Sequence, residues 1–165
     1  MNHSRVYGLN PIVGEDPRIL ILGTFPSEVS RKAKEYYANP KNRFWYIIKH
    51  IFNGGEDFYY YHAGVRCLMN NHIAVWDIFN SKIDNGNSAN KLITNPEDND
   101  IASFLSQHPT IKRIVFNGSD INYTLVCSRQ KIPASMCVFA KQTSSRYYSS
   151  MKECLDSWIS ALTEW

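Results

Sequence analysis

The sequence predicts an α/β domain, a three-layer α/β/α sandwich around a central, mostly parallel sheet of about four strands. Three observations carry that expectation. Four short apolar runs recur along the chain, at 18–23 (RILILG), 73–77 (IAVWD), 111–116 (IKRIVF) and 135–140 (SMCVFA). Such runs, apolar on consecutive positions, suit strands covered on both faces. Stretches with helical spacing lie between them, and that alternation is the pattern of βαβ units. The length of 165 residues suits one domain with a full core, and the whole chain reads as that single domain.

The first run stops at Gly23 and Pro26, so it reads as a buried strand entering a loop. In 41–52 (KNRFWYIIKHIF) the apolar positions recur as on a helix, with Asn39 as its cap and Pro40 as its first residue. A second helix is expected over 57–69, ahead of the strand at 73–77. The polar stretch 80–96 (NSKIDNGNSANKLITNP) reads as a loop with one helical turn. A helix near 97–107 begins in an acidic first turn. The third strand breaks at Asn117-Gly118, a helix spans 119–129, and the fourth strand follows. After a polar loop, 151–163 forms a closing amphipathic helix.

Composition excludes several function classes. Hydrophobic residues make up 44% and charged residues 20%, and the net charge is only +3 with a pI near 8.6. A broad nucleic-acid face would be more basic, whereas a protein handling one nucleotide at a time need not be. The N-terminal segment has no apolar core of a secretory signal, and no run approaches 18 apolar residues. Cys67, Cys127, Cys137 and Cys154 form no C-x-x-C pair, which disfavours zinc and iron–sulfur sites and suits a reducing cytoplasm. His3, His50, His62, His72 and His108 show no metal spacing. Phosphate-loop, dinucleotide-binding and serine-elbow motifs are absent.

In open α/β sheets ligands bind beyond the carboxyl ends of the strands. Here those ends are GTFPS (23–27), Asp77, FNGS (116–119) and KQTSSRYY (141–148), all polar or glycine-bearing. Gly23, Thr24, Phe25, Pro26 and Ser27 fit a backbone loop beside a ligand, or a plain turn. Asp77 fits a general base or a turn cap. Asn117, with Gly118 beside it, fits a turn or an amide aimed into the cleft. In 142–150 the hydroxyls of Thr143, Ser144 and Ser145 before a helix suit a phosphate grip, with Arg146 and Tyr147 placed to enter a gap between bases, or form a solvated connection. The stretch YYANPKNRFW (36–45) combines rings, amides and cations, the equipment for holding a base beside its phosphates. Within it Tyr37 fits a stacking or a core role, and Asn42 a loop-fixing hydrogen bond or a water-holding amide.

Taken in order, ILGTFPS, YYANPKNRFW, AVWDIF, Asn99-Asp100, VFNGS and a Ser/Thr-rich loop before a Trp-bearing helix resemble the uracil-DNA glycosylase superfamily. Order and spacing most resemble its hypoxanthine (deoxyinosine) DNA glycosylase branch, from about Ile19 to Trp158. The resemblance implies an α/β/α fold and hydrolysis of the N-glycosidic bond of a damaged base without metal or cofactor. It implies damaged DNA, duplex or single-stranded, as partner, no membrane, a monomer, and a cytoplasmic, nucleoid-associated location. It places Tyr37 where the family stacks a ring on the extruded base, and Asn42 and Asn117 where asparagines serve catalysis; beside it, Asp77 stands as a secondary catalytic candidate from its own place at a strand end. Gly23 to Ser27, Phe44 and Gly118 complete the expected substrate-binding set, and Thr143 to Tyr147 the DNA-binding set.

Three departures bear on substrate. Phe25 stands where sister branches orient water with Asp or Asn, and the deoxyinosine branch also lacks that polar residue. The last loop, KQTSSRYY, has no proline where the family reads like P-S-T-S-P-A. The middle loop DNGNSANKL lacks the arginine and acid typical of the branch. Two rival readings are a binding module that kept the fold and lost the chemistry, and an unrelated α/β hydrolase or nucleotide-processing enzyme.

Overall fold

The computed structural model describes residues 3–84, 93–146 and 149–165. Its centre is β2 (Ile19–Gly23), every residue of which is buried. β2 lies between β3 (Ile73–Asp77) and β6 (Arg113–Asn117), and β7 (Cys137–Ala140) extends the parallel sheet in the order β3-β2-β6-β7.

The continuous apolar character of β2 has a direct cause. Successive strand residues point to opposite faces. Ile19 and Ile21 meet α2 (Phe44–Phe52), α3 (Tyr61–Asn70) and α6 (Met151–Thr163) through Phe44, Ile47, Ile48, Leu68 and Trp158. Leu20 and Leu22 meet α4 (Ile101–Gln107) and α5 (Ile121–Gln130) through Ile101, Phe104, Tyr123 and Val126. A helical layer covers each face, so both must be apolar. Leu20, Ile21 and Leu22 are fully buried, and each stabilises the fold by about 1.5–3 kcal/mol relative to exposure. The expected three-layer sandwich with a four-stranded parallel sheet is the observed one.

The stretch 80–96 differs from its expected loop. β4 (Phe79–Ile83) and β5 (Thr94–Asp98) pair antiparallel, and β1 (Arg5–Tyr7) pairs with β4, giving a second, three-stranded sheet. Apolar alternation does not announce it, because part of its cross-strand link is polar. Arg5 Nη1 donates to the fully buried Ser81 Oγ at 2.8 Å, and Ser81 Oγ donates to Glu97 Oε2 at 2.8 Å. Pro96 is tolerated because β5 is an edge strand. Residues 85–92, and with them the middle-loop reading, lie outside the described residues.

Several boundaries shift for local reasons. α4 begins at Ile101, where Asp100 Oδ1 accepts from Ser103 N at 2.9 Å, so Glu97 and Asp98 belong to β5. α2 begins at Phe44, because Asn39 forms its own turn, accepting from Lys41 N at 3.0 Å. α3 starts at Tyr61, and Ala134–Met136 is a 3-10 turn ahead of β7. A short helix, α1 (Glu28–Ala33), follows the first loop unannounced. Among the described residues no helix is long and apolar enough to cross a membrane.

Candidate active site

Parallel register brings the polar strand ends to one edge. Gly23 pairs with Asp77, and Asn117 with Ala140, while β2 separates β3 from β6. Gly23 therefore stands between Asp77 and Asn117. A Cβ on Gly23 would lie 2.4 Å from Asp77 Oδ1 and 3.2 Å from the Tyr37 hydroxyl. The missing side chain is what lets these two polar groups converge. The first loop is pinned beside β3, with Ile78 N donating to Gly23 O at 2.8 Å and Phe79 N to Thr24 O at 3.1 Å.

Asp77 is 5% exposed, and its Oδ2 has no hydrogen-bond partner among the described residues. Burial pushes its carboxyl up to about 7. An unpartnered buried carboxylate oxygen is costly, and such groups concentrate at functional sites. Its backbone is fixed from behind by Asn99 Nδ2, which donates to Asp77 O at 2.8 Å. The Asn99-Asp100 pair thus secures a strand end and caps a helix.

Tyr36 and Tyr37 divide the two roles open to the pair. Tyr36 is core, its hydroxyl donating to Asn10 O at 2.9 Å. Tyr37 adopts a left-handed φ of 54°, and its ring stacks on Phe44 at 4.0 Å between centroids and 20° between planes. Burial first, and the Asp77 charge second, hold the Tyr37 phenol well above the ordinary tyrosine range, so it stays neutral. Phe44 was expected to touch substrate, but it is fully buried. It backs Tyr37 and meets Trp45 and Trp158 edge-on, at 5.0 and 6.1 Å.

Asn117 is 2% exposed. Its Nδ2 donates to the Tyr37 hydroxyl at 3.2 Å and to Thr143 Oγ1 at 2.8 Å, and its Oδ1 accepts from Thr143 N at 2.9 Å. The amide joins the first ring to the last loop. Thr143 is fully buried in that network, so it does not face a phosphate as expected. Gly118 takes a φ of 115°, and its N–H donates to Ala140 O at 2.9 Å.

Asn42 is half-buried, and its Oδ1 accepts from Phe44 N at 2.9 Å, at the head of α2. Ser27, in the first loop, is exposed. Its Oγ accepts from Ser30 N at 3.2 Å and caps α1. Phe25 packs between two cations, Arg31 at 5.8 Å and Lys82 at 5.4 Å from its ring centre. Ser145 and Arg146 are exposed and Ser144 is half-buried, whereas Tyr147 lies outside the described residues. Gly23, Tyr37, Asp77, Asn117 and Thr143 therefore meet, with Asn42 joined to them through Phe44.

Sequence reasoning missed Arg43, whose guanidinium gathers backbone carbonyls of the last loop. The available signal was a cation at the head of a helix, where the dipole disfavours one. Among the described residues no cluster of three or more His, Cys, Asp or Glu could hold a metal ion.

No family model matches the chain. The hypoxanthine DNA glycosylases of Methanosarcina acetivorans and Methanosarcina barkeri are each 32% identical to it over 111 residues, covering 67% of this chain and 70% of theirs. A solution NMR structure of a candidate uracil DNA glycosylase from M. acetivorans superimposes with a TM-score of 0.80. That match covers 96% of this chain and 97% of the other at 24% identity, and it is a likeness of fold. Sequence likeness at this identity and coverage shows the family, and the chain belongs to the uracil-DNA glycosylase superfamily, in its hypoxanthine DNA glycosylase branch.

Proposed function

We propose that this protein excises a damaged base from DNA, deoxyinosine before uracil or a mismatched base, leaving an abasic site. The observation that carries the reading is Asp77, a buried carboxyl beside Gly23 and Tyr37 with an oxygen unpartnered among the described residues. The two glycosylase relatives support the reaction class.

A base within a duplex is unreachable, so the nucleotide must swing out, at a cost of a few kcal/mol that is least at a weak pair. Ser144, Ser145 and Arg146, with Tyr147, would hold the flanking phosphates. Phe44 covers one face of Tyr37, so an extruded base can use only the opposite face or the hydroxyl edge. As the glycosidic bond breaks, its electron pair leaves with the purine and the sugar becomes oxocarbenium-like. Water then adds at C1′, and its proton passes to the Asp77 carboxylate. With its carboxyl near 7, Asp77 is substantially ionised at neutral pH and close to the ideal strength for a general base. Asn42 cannot accept a proton, so its amide would position the water or stabilise charge. Phe25 leaves the first loop without a polar water holder, which favours purine over uracil excision in this reading.

The test uses labelled oligonucleotides carrying deoxyinosine, deoxyuridine, mismatched thymine or xanthine, single-stranded and paired, followed by hot alkali. Cleavage at deoxyinosine that is lost in Asp77→Asn and weakened in Asn42→Ala is the expected result. DNA binding with no alkali-sensitive product at any lesion would overturn it in favour of a binding module. The closed hydrogen-bond network around Asn117 is the observation that favours that second reading.

A further inference from the structure

Helix N-termini expose unpaired N–H groups and the positive end of the dipole, so a cation there needs another reason. Arg43 occupies that position in α2, with no acid in the first turn and no cap bond from its own side chain. Its side chain crosses to the last loop instead. Nη1 donates to Ser149 O at 2.8 Å, Nη2 to Ser144 O at 3.3 Å and Gln142 O at 3.5 Å, and Nε to Thr143 O at 3.4 Å. Nη2 also reaches Ser149 Oγ at 3.4 Å, and the Arg43 backbone N–H donates to Thr143 O at 3.0 Å.

The planar guanidinium fork suits this task. It presents N–H donors in several fixed directions, whereas a lysine ammonium is a compact point with three. The fork converges on the carbonyls of residues 142, 143, 144 and 149. Thr143 is gripped from both sides, by Arg43 through its carbonyl and by Asn117 through its N–H and hydroxyl. A continuous chain of hydrogen bonds thus runs Tyr37–Asn117–Thr143–Arg43, and Asn42 is the residue before Arg43.

We propose that Arg43 is a positioning residue that holds residues 142–144 and Ser149 at the strand-end edge and fixes Asn42 relative to Asn117, without itself binding a DNA phosphate. The loop has no proline, and the arginine fork supplies restraint from outside it. The effect on rate rests on the glycosylase reading above, whereas the effect on the loop does not.

The test compares the full chain with Arg43→Lys and Arg43→Gln in three readouts. Amide hydrogen exchange at Thr143, whose N–H is held by Asn117, should quicken about tenfold or more in both variants, while the β2 amides keep their protection. Single-turnover excision from a deoxyinosine duplex should fall about 100-fold in both, the order expected for a misplacement near 1 Å, and lysine should not rescue it. The slope of log affinity against log salt for an undamaged duplex should match the wild type. A slope shallower by about one in Arg43→Gln, with lysine restoring it, would make Arg43 a phosphate ligand and overturn the proposal. Unchanged Thr143 exchange in Arg43→Lys, or faster exchange with unchanged excision, would also overturn it. If the wild type excises nothing, the glycosylase reading fails while Thr143 exchange still decides the positioning. If Arg43→Gln does not fold, Arg43→Lys carries the exchange and rate readouts.

Discussion

Gly23→Ala should damage activity far more than stability. Gly23 sits at the end of a strand, outside the left-handed region, so alanine meets no backbone strain. The obstacle is the space around the new methyl. It would stand 2.4 Å from Asp77 Oδ1, where ordinary contact begins at 3.4 Å, so the carboxyl must retreat by about 1 Å. The Tyr37 hydroxyl, at 3.2 Å, must give by a few tenths of an ångström. Overpacking of this kind costs roughly 1–3 kcal/mol. Lower entropy in the unfolded chain offsets about 0.4–1 kcal/mol of that. The net loss is then at most about 2.5 kcal/mol, a fall in Tm of no more than about 10 °C for a domain of this size. A 1 Å displacement of a catalytic group can lower the rate about 100-fold. Thermal melting and single-turnover excision of a deoxyinosine duplex, run on the same preparation, separate the two effects. A folded Gly23→Ala protein that excises at the wild-type rate would refute the placement of Asp77 and Tyr37 at the reacting centre.

Asp77 also sets a dependence of stability on pH. Its folded pKa is raised from 3.8 to about 7, so the native state holds the proton more tightly than the unfolded chain does. This contribution to stability is present below about pH 4 and is lost as pH rises to about 7, amounting to a few kcal/mol. Denaturant unfolding of Asp77→Asn should show a flatter profile than wild type over that window, and parallel profiles would contradict it. Excision by the wild type should rise through about pH 7 as the carboxyl ionises, and a rate flat across about pH 5–8 would contradict Asp77 as the base. Asn117→Ala removes two donated bonds and strands the buried Thr143 N–H, so it should cost about 2–4 kcal/mol, read as a fall in the urea midpoint. Ser81→Ala breaks the Arg5–Ser81–Glu97 link and should cost about 1–2 kcal/mol, with faster amide exchange in β4 than in β2.

The layered fold was legible in the sequence because it depends on a signal that neighbouring residues share. Ile19 to Leu22 are apolar without interruption, the pattern of a strand covered on both faces, and Gly23 and Pro26 close the run before it reaches helical length. The second sheet was illegible for the complementary reason. Its link through Ser81 joins residues 5, 81 and 97, and nothing near Ser81 in the chain reveals partners that distant. The site was legible as a set of candidates. Gly23, Asp77 and Asn117 end strands, and parallel strands end on one edge, so their proximity follows from the topology.

Which candidates face a ligand was a different matter. Phe44 and Thr143 are residue types that could touch DNA, and each turned inward, Thr143 to a partner 26 residues away that local spacing does not specify. Tyr36 and Tyr37 are chemically identical and adjacent. A left-handed φ at Tyr37 turns one ring to the site while the other stays in the core. Arg43 gave its charge to the sequence and its task only to the fold, since the carbonyls it gathers lie about a hundred residues away. Periodicity, composition and motif order are properties of the chain as written, and they specified the architecture and the family. Side-chain direction, burial and hydrogen-bond partnership exist only once distant segments pack together, and that packing left Asp77 with an oxygen unpartnered among the described residues, at the edge where the strands end.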